Sequence, residues 1–420
     1  MAENWSPRAV KRRLDDLQRR LGITRAGQMA LLAAVGLWIA ARVVAGTAMY
    51  LFAYGAALLV IVSYAIAPRR LRLTGEREGL FPRAQEGDRL DVRVRLTATR
   101  TVSTFILEER VPERLGNPVR VPIAKLSSGA AVEHRYGLRC GRRGVYQVGP
   151  LVAIAGDPLG LSQRETVVAE PFELLVHPRV ELVNDRPLTR QFEDPPVRPP
   201  VSKPWPSGLE FYGMREYTPG DDLRRIVWRA SARTGTIMVR EAEQGITDKI
   251  MMVLNTDRAA HSRDGEGYSE SFEAGIRVAA SIGVGHLREG YEVRCETSGG
   301  PLTRPLRGPA SQMMLLDGLA RLEHSRDSLS NALMRLLIRP ARDAHHVIIT
   351  PRLHATEATQ LRMLVNRGVS VLVVALVWDE ADAETIGTAA GLGCAVAGVH
   401  PGQDLATALY GALGAGAGSR

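Results

Sequence analysis

Two long apolar segments stand near the beginning of the chain. Residues 29–48 contain one charged side chain, Arg42, and residues 49–67 contain none. Each segment has about the 20 residues that a helix needs to cross the hydrocarbon core of a bilayer. Tyrosines lie toward the ends of the second segment, where interfacial aromatic side chains are common. The pattern predicts a hairpin of two transmembrane helices over residues 26–67.

Short runs in which apolar and polar residues alternate follow over residues 68–180. One of them, LDVRVRL at residues 90–96, has the period of a strand with one face in water. Turn signals such as Gly87-Asp88 and Asp157-Pro158 separate the runs. Short strands at this spacing predict a small all-β domain with a sandwich-like arrangement.

Proline fills six of the twelve positions of residues 195–206. This composition keeps a chain extended and excludes helix and central strand. We therefore expect a semi-rigid, proline-rich linker that, together with the signature motif described below, spans residues 181–245. The end of the chain, residues 411–420, reads GALGAGAGSR and offers no apolar face, which predicts a disordered tail.

Buried strands alternate with amphipathic helices after residue 246. The apolar run KIMMVLN at residues 249–255 is typical of a strand covered on both faces. Further strands are expected at residues 291–297, 347–350 and 369–377. Helices are expected at residues 272–287, 311–322, 328–337 and 355–367. This alternation predicts a doubly wound α/β domain over residues 246–410, whose ligand site lies beyond the carboxyl ends of the strands.

The net charge of +9 is unevenly placed, because residues 1–25 hold seven basic and three acidic side chains. Arg69, Arg70 and Arg72 flank the other end of the apolar pair. The positive-inside rule predicts that both termini and the soluble domains are cytoplasmic, with the protein in the inner (plasma) membrane. A nucleic-acid-binding arm is the alternative, but lipid headgroups would compete for it. Residues 65–67 resemble a signal-peptidase site, which the two apolar segments and the long basic start disfavour.

The overall composition is ordinary for a globular protein. An apolar fraction of 45% and a charged fraction of 24% exclude wholesale disorder, collagen and coiled coil. Cys140, Cys295 and Cys394 are too far apart in sequence for a disulfide framework or a CxxC metal clamp. Arg142 and Arg143 could lower the pKa of the Cys140 thiol, but no histidine or second cysteine is near. Cys140 is therefore interpreted as a small strand residue.

A turn, a capped helix and a strand are predicted in the segment after the linker. The sequence TPGD at residues 218–221 has proline and glycine at the central positions of a type II turn. Asp221 is a suitable N-cap and Asp222 suits the first turn, so a helix is expected over residues 223–233. Gly235 is expected to end this helix, and a strand to follow it.

The predicted helix carries three arginines at positions four apart, Arg225, Arg229 and Arg233. Their mutual repulsion requires acidic partners. The candidates are Glu210, Glu216, Asp221, Asp222 and Glu241. An internal salt-bridge brace, a partner-docking surface and an anion-binding catalytic site all fit this pattern. Trp228 is expected to anchor the core.

This segment resembles the signature of domain-of-unknown-function family 58, GxEFxxxREYxPGDDxRxIxWxAxAR. The matching residues are Gly208, Glu210, Phe211, Arg215, Glu216, Tyr217, Pro219, Gly220, Asp221, Asp222, Arg224, Ile226, Trp228, Ala230, Ala232 and Arg233. Residues 142–146 and 157–161 are similar to the family's β-domain, and two N-terminal spans fit its usual architecture. The resemblance implies a bacterial membrane-anchored protein with a von Willebrand factor A-like C-terminal domain, often encoded beside a MoxR-type AAA+ ATPase. The family name assigns no biochemical activity.

The resemblance also implies a place for a metal ion. In von Willebrand factor A domains a DxSxS sequence after the first strand coordinates Mg²⁺. The matching positions here are Asn255, Asp257 and Ala259, so an amide replaces the first carboxylate and a methyl group the last hydroxyl. Arg352 stands where another acid is expected. Because Mg²⁺ requires oxygen ligands and prefers charged ones, we expect no metal and no cofactor.

Three histidines are candidate metal ligands, namely His261, His345 and His346. No pair of them is spaced four apart on a predicted helix together with an acid. We therefore expect isolated histidines in loops and at strand edges.

The leading functional hypothesis is a membrane-tethered, non-catalytic scaffold or adaptor that presents docking surfaces in the cytoplasm. The resemblance makes a MoxR-type AAA+ ATPase the expected partner, and no nucleic acid or small-molecule substrate is expected. One alternative is an enzyme that uses Glu210, Glu216, Asp221 or Asp222 with an arginine. Another is metal-dependent ligand capture by the α/β domain, and a third is nucleic-acid binding by the basic excess.

Overall fold

The computed structural model describes residues 22–44, 46–67, 71–181, 211–218, 226–242, 249–261, 269–339 and 344–409. The chain divides into two compact units, with the boundary between Pro178 and Arg179. Each unit is considered by itself below.

The first helices described in the first unit are two apolar ones, α1 (Arg25–Val44) and α2 (Thr47–Ile66). Both are long and apolar enough to cross a membrane, which confirms the predicted pair and is consistent with membrane anchoring. Helix α1 begins four residues before the predicted apolar segment, because Thr24 caps its first turn. The Gly27 N–H donates to Thr24 Oγ1 over 3.1 Å.

Ten strands follow in the described residues of the first unit, 71–178. They are β1 (Leu73–Glu78), β2 (Arg83–Gln85), β3 (Arg89–Ala98), β4 (Phe105–Glu109), β5 (Val119–Ile123), β6 (Ala131–Arg139), β7 (Gly144–Val148), β8 (Leu151–Gly156), β9 (Gln163–Ala169) and β10 (Phe172–His177). Three sheets have the strand orders β1-β3-β6, β2-β10-β7 and β5-β4-β8-β9. Alternate residues of β3, such as Val92, Val94 and Leu96, point into one common core. The prediction of a β-rich domain is confirmed.

One ion pair is buried in this β-rich unit. Arg77 Nη2 and Nε donate to the two oxygens of Glu109 over 2.8 and 3.1 Å. The side chains are only 9% and 1% exposed. The Tyr136 hydroxyl donates to Glu109 Oε2 over 2.8 Å, and burial together with this carboxylate raises the pKa of Tyr136. The pair therefore joins β1, β4 and β6 across separate sheets.

The second unit contains a hairpin and a larger sheet. The hairpin consists of β11 (Phe211–Glu216), α3 (Trp228–Thr234) and β12 (Met238–Ala242). The larger sheet contains β13 (Lys249–Leu254), β14 (Glu292–Thr297), β15 (Gly300–Pro301), β16 (Leu306–Arg307), β17 (His345–Thr350), β18 (Val371–Leu376) and β19 (Ala395–Val399). Its helices are α4 (Glu270–Arg288), α5 (Gln312–Ala320), α6 (Leu329–Ile338), α7 (Ala355–Asn366) and α8 (Glu380–Gly391).

Five strands of the larger sheet are parallel, in the order β14-β13-β17-β18-β19, while β15 and β16 pair antiparallel with β14. Successive residues of β13 enter different cores: Met252 packs with residues of α4 and α5, and Val253 packs with residues of α6 and α7. Helices therefore cover both faces, which is why the parallel strands are continuously apolar. The helices and strands predicted for this domain are confirmed, and the structure adds α8, β15, β16 and β19 to them.

Candidate functional site

The signature segment folds into an antiparallel hairpin with a short helix between its strands. Strands β11 and β12 pair with a register shift between Phe211 and Gly213. The Tyr217 N–H donates to Ile237 O over 2.8 Å, and the Met238 N–H donates to Ser231 Oγ over 2.8 Å. These bonds hold α3 against the beginning of β12.

Helix α3 is shorter than predicted and begins at Trp228 rather than at residue 223. Ile226 forms an antiparallel bridge with Val239, and the Val227 N–H donates to Met238 O over 2.8 Å. Because these two residues pair with a strand, they cannot belong to a helix. The helix does end as predicted, at Gly235 with φ 76°.

Trp228 lies at the surface, so the prediction that it anchors the core is wrong. The residue is 69% exposed, and only Ala230 of α3 is buried. A seven-residue helix that is held mainly by backbone bonds has little apolar surface to pack. Ile237 and Met214, on the same hairpin, are 47% and 40% exposed.

The remaining signature residues are only partly within the described part of the chain. Those outside it are Gly208, Glu210, Pro219, Gly220, Asp221, Asp222, Arg224 and Arg225. Phe211 and Arg215 lie in β11, and Glu216 ends that strand with an exposed side chain. Arg229 and Arg233 lie on α3, whereas the predicted position of Arg225 lies outside the described residues.

The three positions that resemble a metal site lie at the carboxyl end of β13. Asn255 is buried, and its Nδ2 donates to Thr350 Oγ1 over 3.0 Å. Its Oδ1 accepts from the Asp257 N–H over 3.0 Å and from Ser298 Oγ over 3.1 Å. The amide thus connects the ends of β13, β14 and β17 with both its donor and its acceptor.

Asp257 and Ala259 form a tight turn directly after this amide. Asp257 Oδ1 accepts from the Ala259 N–H over 2.9 Å. The backbone of Asp257 pairs with Ser325, whose hydroxyl lies 3.0 Å from that of Thr256. The Asp257 carboxylate therefore caps its own loop.

The positive charge of Arg352 is held by two carboxylates at the beginning of α8. Arg352 Nε donates to Asp382 Oδ1 over 2.7 Å, and Nη2 donates to Asp379 Oδ2 over 2.5 Å. The bond to Asp382 is the main cause that raises the pKa of Arg352. Asp382 also accepts the Trp378 N–H and belongs to the capping box of α8. Arg352, which stands where the resemblance implies an acid, is therefore paired with two carboxylates.

Most of the signature hairpin and the edge of the sheet at Asn255 lie in a region that matches a known family. Residues 213–390 match the family described as Protein of unknown function DUF58. This part of the chain belongs to that family. The DUF58 region includes most of the hairpin, Asn255 with its hydrogen-bond partners, and the Arg352 ion pairs.

Three solved structures are similar to the chain at low TM-scores. A von Willebrand factor type A protein from Catenulispora acidiphila has 11% identity and a TM-score of 0.29, covering 42% of this chain and 44% of that one. A β-glucosidase from Listeria innocua in complex with gluconolactone has 13% identity and a TM-score of 0.17, with coverages of 26% and 16%. A Niemann-Pick type C2 protein from Japanese carpenter ant has 10% identity and a TM-score of 0.16, with coverages of 24% and 88%.

The chain spans less than half the length of the first two of these structures. All three TM-scores lie below 0.5, so the similarities carry no weight for fold or function. No curated protein matches the sequence.

His261 lies beside the Asn255 network of the DUF58 region and is not the isolated loop histidine that was predicted. Its Nε2 lies 2.8 Å from Asn255 O, and its Nδ1 lies 3.1 Å from Ser271 Oγ. Burial lowers its pKa to about 4, so the ring is neutral at pH 7. Phe272 and His324 stack with centroids 3.9 Å apart next to it. Since these residues come from separate segments, no sequence spacing indicated this cluster.

The thiols of the chain are unsuited to nucleophilic chemistry at neutral pH. Burial raises the pKa of Cys140 to about 11, of Cys295 to about 12 and of Cys394 to about 11. At Cys140 burial outweighs the field that Arg142 and Arg143 were expected to provide. The interpretation of Cys140 as a small residue of the β-rich unit agrees with its place in the core.

Within the described ranges no group of three or more His, Cys, Asp or Glu side chains is placed to hold a metal ion. The Asn255 side chain directs its N–H₂ group at Thr350. A cation bound at this edge would require an oxygen ligand in the place of that nitrogen.

We predict that Mg²⁺ or EDTA leaves the thermal midpoint of the second unit unchanged, as measured by calorimetry of the full-length protein in detergent. Only a ligand that binds the native state stabilises it. An ion at 100 times its dissociation constant would add about 2.7 kcal/mol, or roughly 5–11 °C at about 2–4 °C per kcal/mol for a domain of this size. A clear upward shift with Mg²⁺ would show that these residues do bind the ion.

Proposed function

We propose that the protein is a membrane-tethered, non-catalytic scaffold or adaptor for a MoxR-type AAA+ ATPase. Helices α1 and α2 anchor it in the inner membrane, with both termini and both soluble parts on the cytoplasmic side. A sandwich-like β-domain and a doubly wound α/β domain then act as two bodies that present docking surfaces. The basic side chains at both outer ends of the apolar pair support this orientation.

The exposure of Trp228 is the observation that carries the proposal. A tryptophan that is 69% exposed leaves a large apolar surface in water without a compensating contact. Tryptophan is also the side chain most enriched among residues that dominate binding energies at protein interfaces. Ile237 and Met214 are further exposed apolar side chains of the same hairpin. These three exposed residues are together called the hairpin surface below.

The arrangement around Asn255 supports a structural role for the strand edge. Its amide is satisfied by Thr350, Ser298 and the Asp257 backbone, and each of these groups belongs to the protein. A site that captures a ligand needs polar groups that are left for that ligand. The hairpin surface is therefore the stronger candidate for binding a partner.

We expect the Trp228→Ala variant to lose most of its capture of the ATPase. The test uses the full-length protein in mild detergent and the purified MoxR-type AAA+ ATPase of the same organism. Truncation of a central interface tryptophan costs about 2 kcal/mol or more, which weakens binding by roughly 30-fold. Affinity measured by surface-immobilised titration gives this ratio directly.

Ile338→Ala is the matched control, because Ile338 is 72% exposed but belongs to α6 and not to the signature hairpin. This variant should bind as the unmodified protein does. If Trp228→Ala and Ile338→Ala bind equally well, the hairpin surface is not the docking site. If a pull-down recovers other envelope proteins but never an ATPase, the named partner is wrong while the scaffold remains.

A further inference from the structure

One loop, residues 157–162 between β8 and β9, joins the β-rich sheets to both apolar helices. At α1 the Thr24 N–H donates to Leu161 O over 3.0 Å, and Thr24 Oγ1 donates to Gly160 O over 2.6 Å. A Cβ atom at Gly27 would stand 2.2 Å from Leu161 O. The loop backbone therefore lies directly against the first turn of α1.

The same loop holds the last turn of α2. Ser63 Oγ donates to Asp157 Oδ2 over 2.7 Å in a buried contact. Asp157 also accepts the Leu159 N–H over 2.8 Å and the Ser162 N–H over 2.6 Å. Burial alone would raise the pKa of Asp157, but these hydrogen bonds outweigh it and lower the pKa. The Asp157 carboxylate is thus charged at neutral pH, and it accepts hydrogen bonds from Ser63, Leu159 and Ser162.

These contacts fix the level of the loop along the helices. Ser63 lies three residues before Ile66, the end of α2, which corresponds to about 4.5 Å at 1.5 Å per residue. A loop bonded to Ser63 lies beside the end of the helix rather than beyond it. The Arg164 guanidinium stands 4.7 Å from the centroid of the Tyr64 ring, a pairing suited to a membrane–water boundary.

The tip of this loop carries an apolar side chain that is largely exposed. Leu159 is 58% exposed, although Asp157 holds its backbone in place, and Pro158 beside it is exposed as well. Exposed apolar side chains also lie on the last turn of α2, among them Ile66 at 63%, beside the Ser63–Asp157 bond that holds this loop. A single apolar partner would therefore suit both the loop tip and the exposed side chains of α2.

We infer that Leu159 inserts into the interfacial layer of the bilayer that α1 and α2 cross, so that lipid is the partner of this loop. The inference rests on the membrane anchoring proposed above. The β-rich unit then has three points of attachment at the membrane surface: the start of α1, the end of α2 and the loop tip. Hydrocarbon at the boundary removes the Leu159 side chain from water, which favours this position.

The test uses the full-length protein in vesicles of phosphatidylcholine and phosphatidylglycerol that carry nitroxide-labelled acyl chains. Cys394→Ser leaves Cys140 and Cys295, which are buried. Single cysteines are then introduced by Leu159→Cys, Val167→Cys or Leu58→Cys and labelled with an environment-sensitive fluorophore. Val167 is 51% exposed and lies four residues along β9 from Gln163, about 13 Å from the loop.

The label at Leu159 should emit at shorter wavelength than the label at Val167. Nitroxide on an upper acyl carbon should quench the label at Leu159 several-fold more strongly than the label at Val167. The label at Leu58, in the middle of α2, should be quenched by nitroxide near the chain end. Adding Asp157→Ala should reduce quenching at Leu159 toward the level at Val167, while quenching at Leu58 persists. Quenching at Leu58 with equal behaviour of Leu159 and Val167 would overturn the lipid contact alone, and no quenching at Leu58 would overturn the anchoring itself.

Discussion

Replacing Glu109 with alanine is expected to lower the unfolding free energy of the β-rich unit by about 3–5 kcal/mol. The change leaves the Arg77 guanidinium, whose side chain is 9% exposed, without its buried partner. The Tyr136 hydroxyl loses its acceptor at the same time. At roughly 4–8 °C per kcal/mol for a domain of about 100 residues, the midpoint should fall by more than about 10 °C. Calorimetry of the full-length protein in detergent measures the transition.

Glu133→Ala is the control for charge. Arg95 and Glu133 form an ion pair of similar geometry, with a distance of 2.5 Å, but their side chains are 49% and 40% exposed. Solvent screens such a pair, so its removal should change the midpoint little. Equal midpoints for the two alanine variants would show that the buried pair does not brace the three strands.

Asn255→Asp is expected to destabilise the second unit by about 3 kcal/mol or more, because it buries a charge and removes the hydrogen bond from Nδ2 to Thr350. The hydroxyl of Thr350 already donates to Arg352 O over 2.8 Å, so it has no hydrogen for the new carboxylate. The oxygen that replaces Nδ2 then faces the Thr350 oxygen at about the 3.0 Å of the present hydrogen bond. Thermal unfolding without divalent metal measures the loss.

The same variant shows whether the amide excludes a cation. Addition of Mg²⁺ should recover part of the lost stability of Asn255→Asp, because a carboxylate is the ligand that this ion prefers. Recovery should be larger when Asp257→Ser and Ala259→Ser are added. The control Asp257→Asn keeps an acceptor for the Ala259 N–H and should melt close to the unmodified protein. An Asn255→Asp variant that is as stable as its parent, with or without Mg²⁺, would contradict the structural role of the amide.

Elements with a clear period were predictable from the sequence. Strand β13 is continuously apolar because helices cover both its faces, and α4 carries its buried residues on the spacing that the sequence indicated. Helix α8 was missed because its sequence, EADAETIGTAAG, has little large apolar surface and depends on the capping box between Asp379 and Asp382. The local pattern is decisive only where burial itself is periodic.

The errors at the candidate site have a common physical origin. Turn chemistry before Trp228 suggested a helix from residue 223, but Ile226 pairs with Val239, which is distant enough that no local propensity shows it. Composition alone placed Trp228 in a core. The ring contact of His261 with His324 and the hydrogen bond from Ser63 to Asp157 join segments far apart in sequence. Single-sequence periodicity carries no information about such pairs.

The pairing of β2 with β10 has a consequence for the order of events during synthesis. These strands are parallel neighbours, with Arg83 opposite Leu175, so the first unit cannot close before residue 175 has been made. At about 5–20 residues per second, translation reaches that residue roughly 5–20 s after the end of α2. During this interval the Ser63 hydroxyl has no carboxylate to receive its hydrogen bond. During translation the two apolar helices must therefore be stabilised by their pairing with each other and by their surroundings. The β-rich unit can stabilise them only after residue 175 has been made.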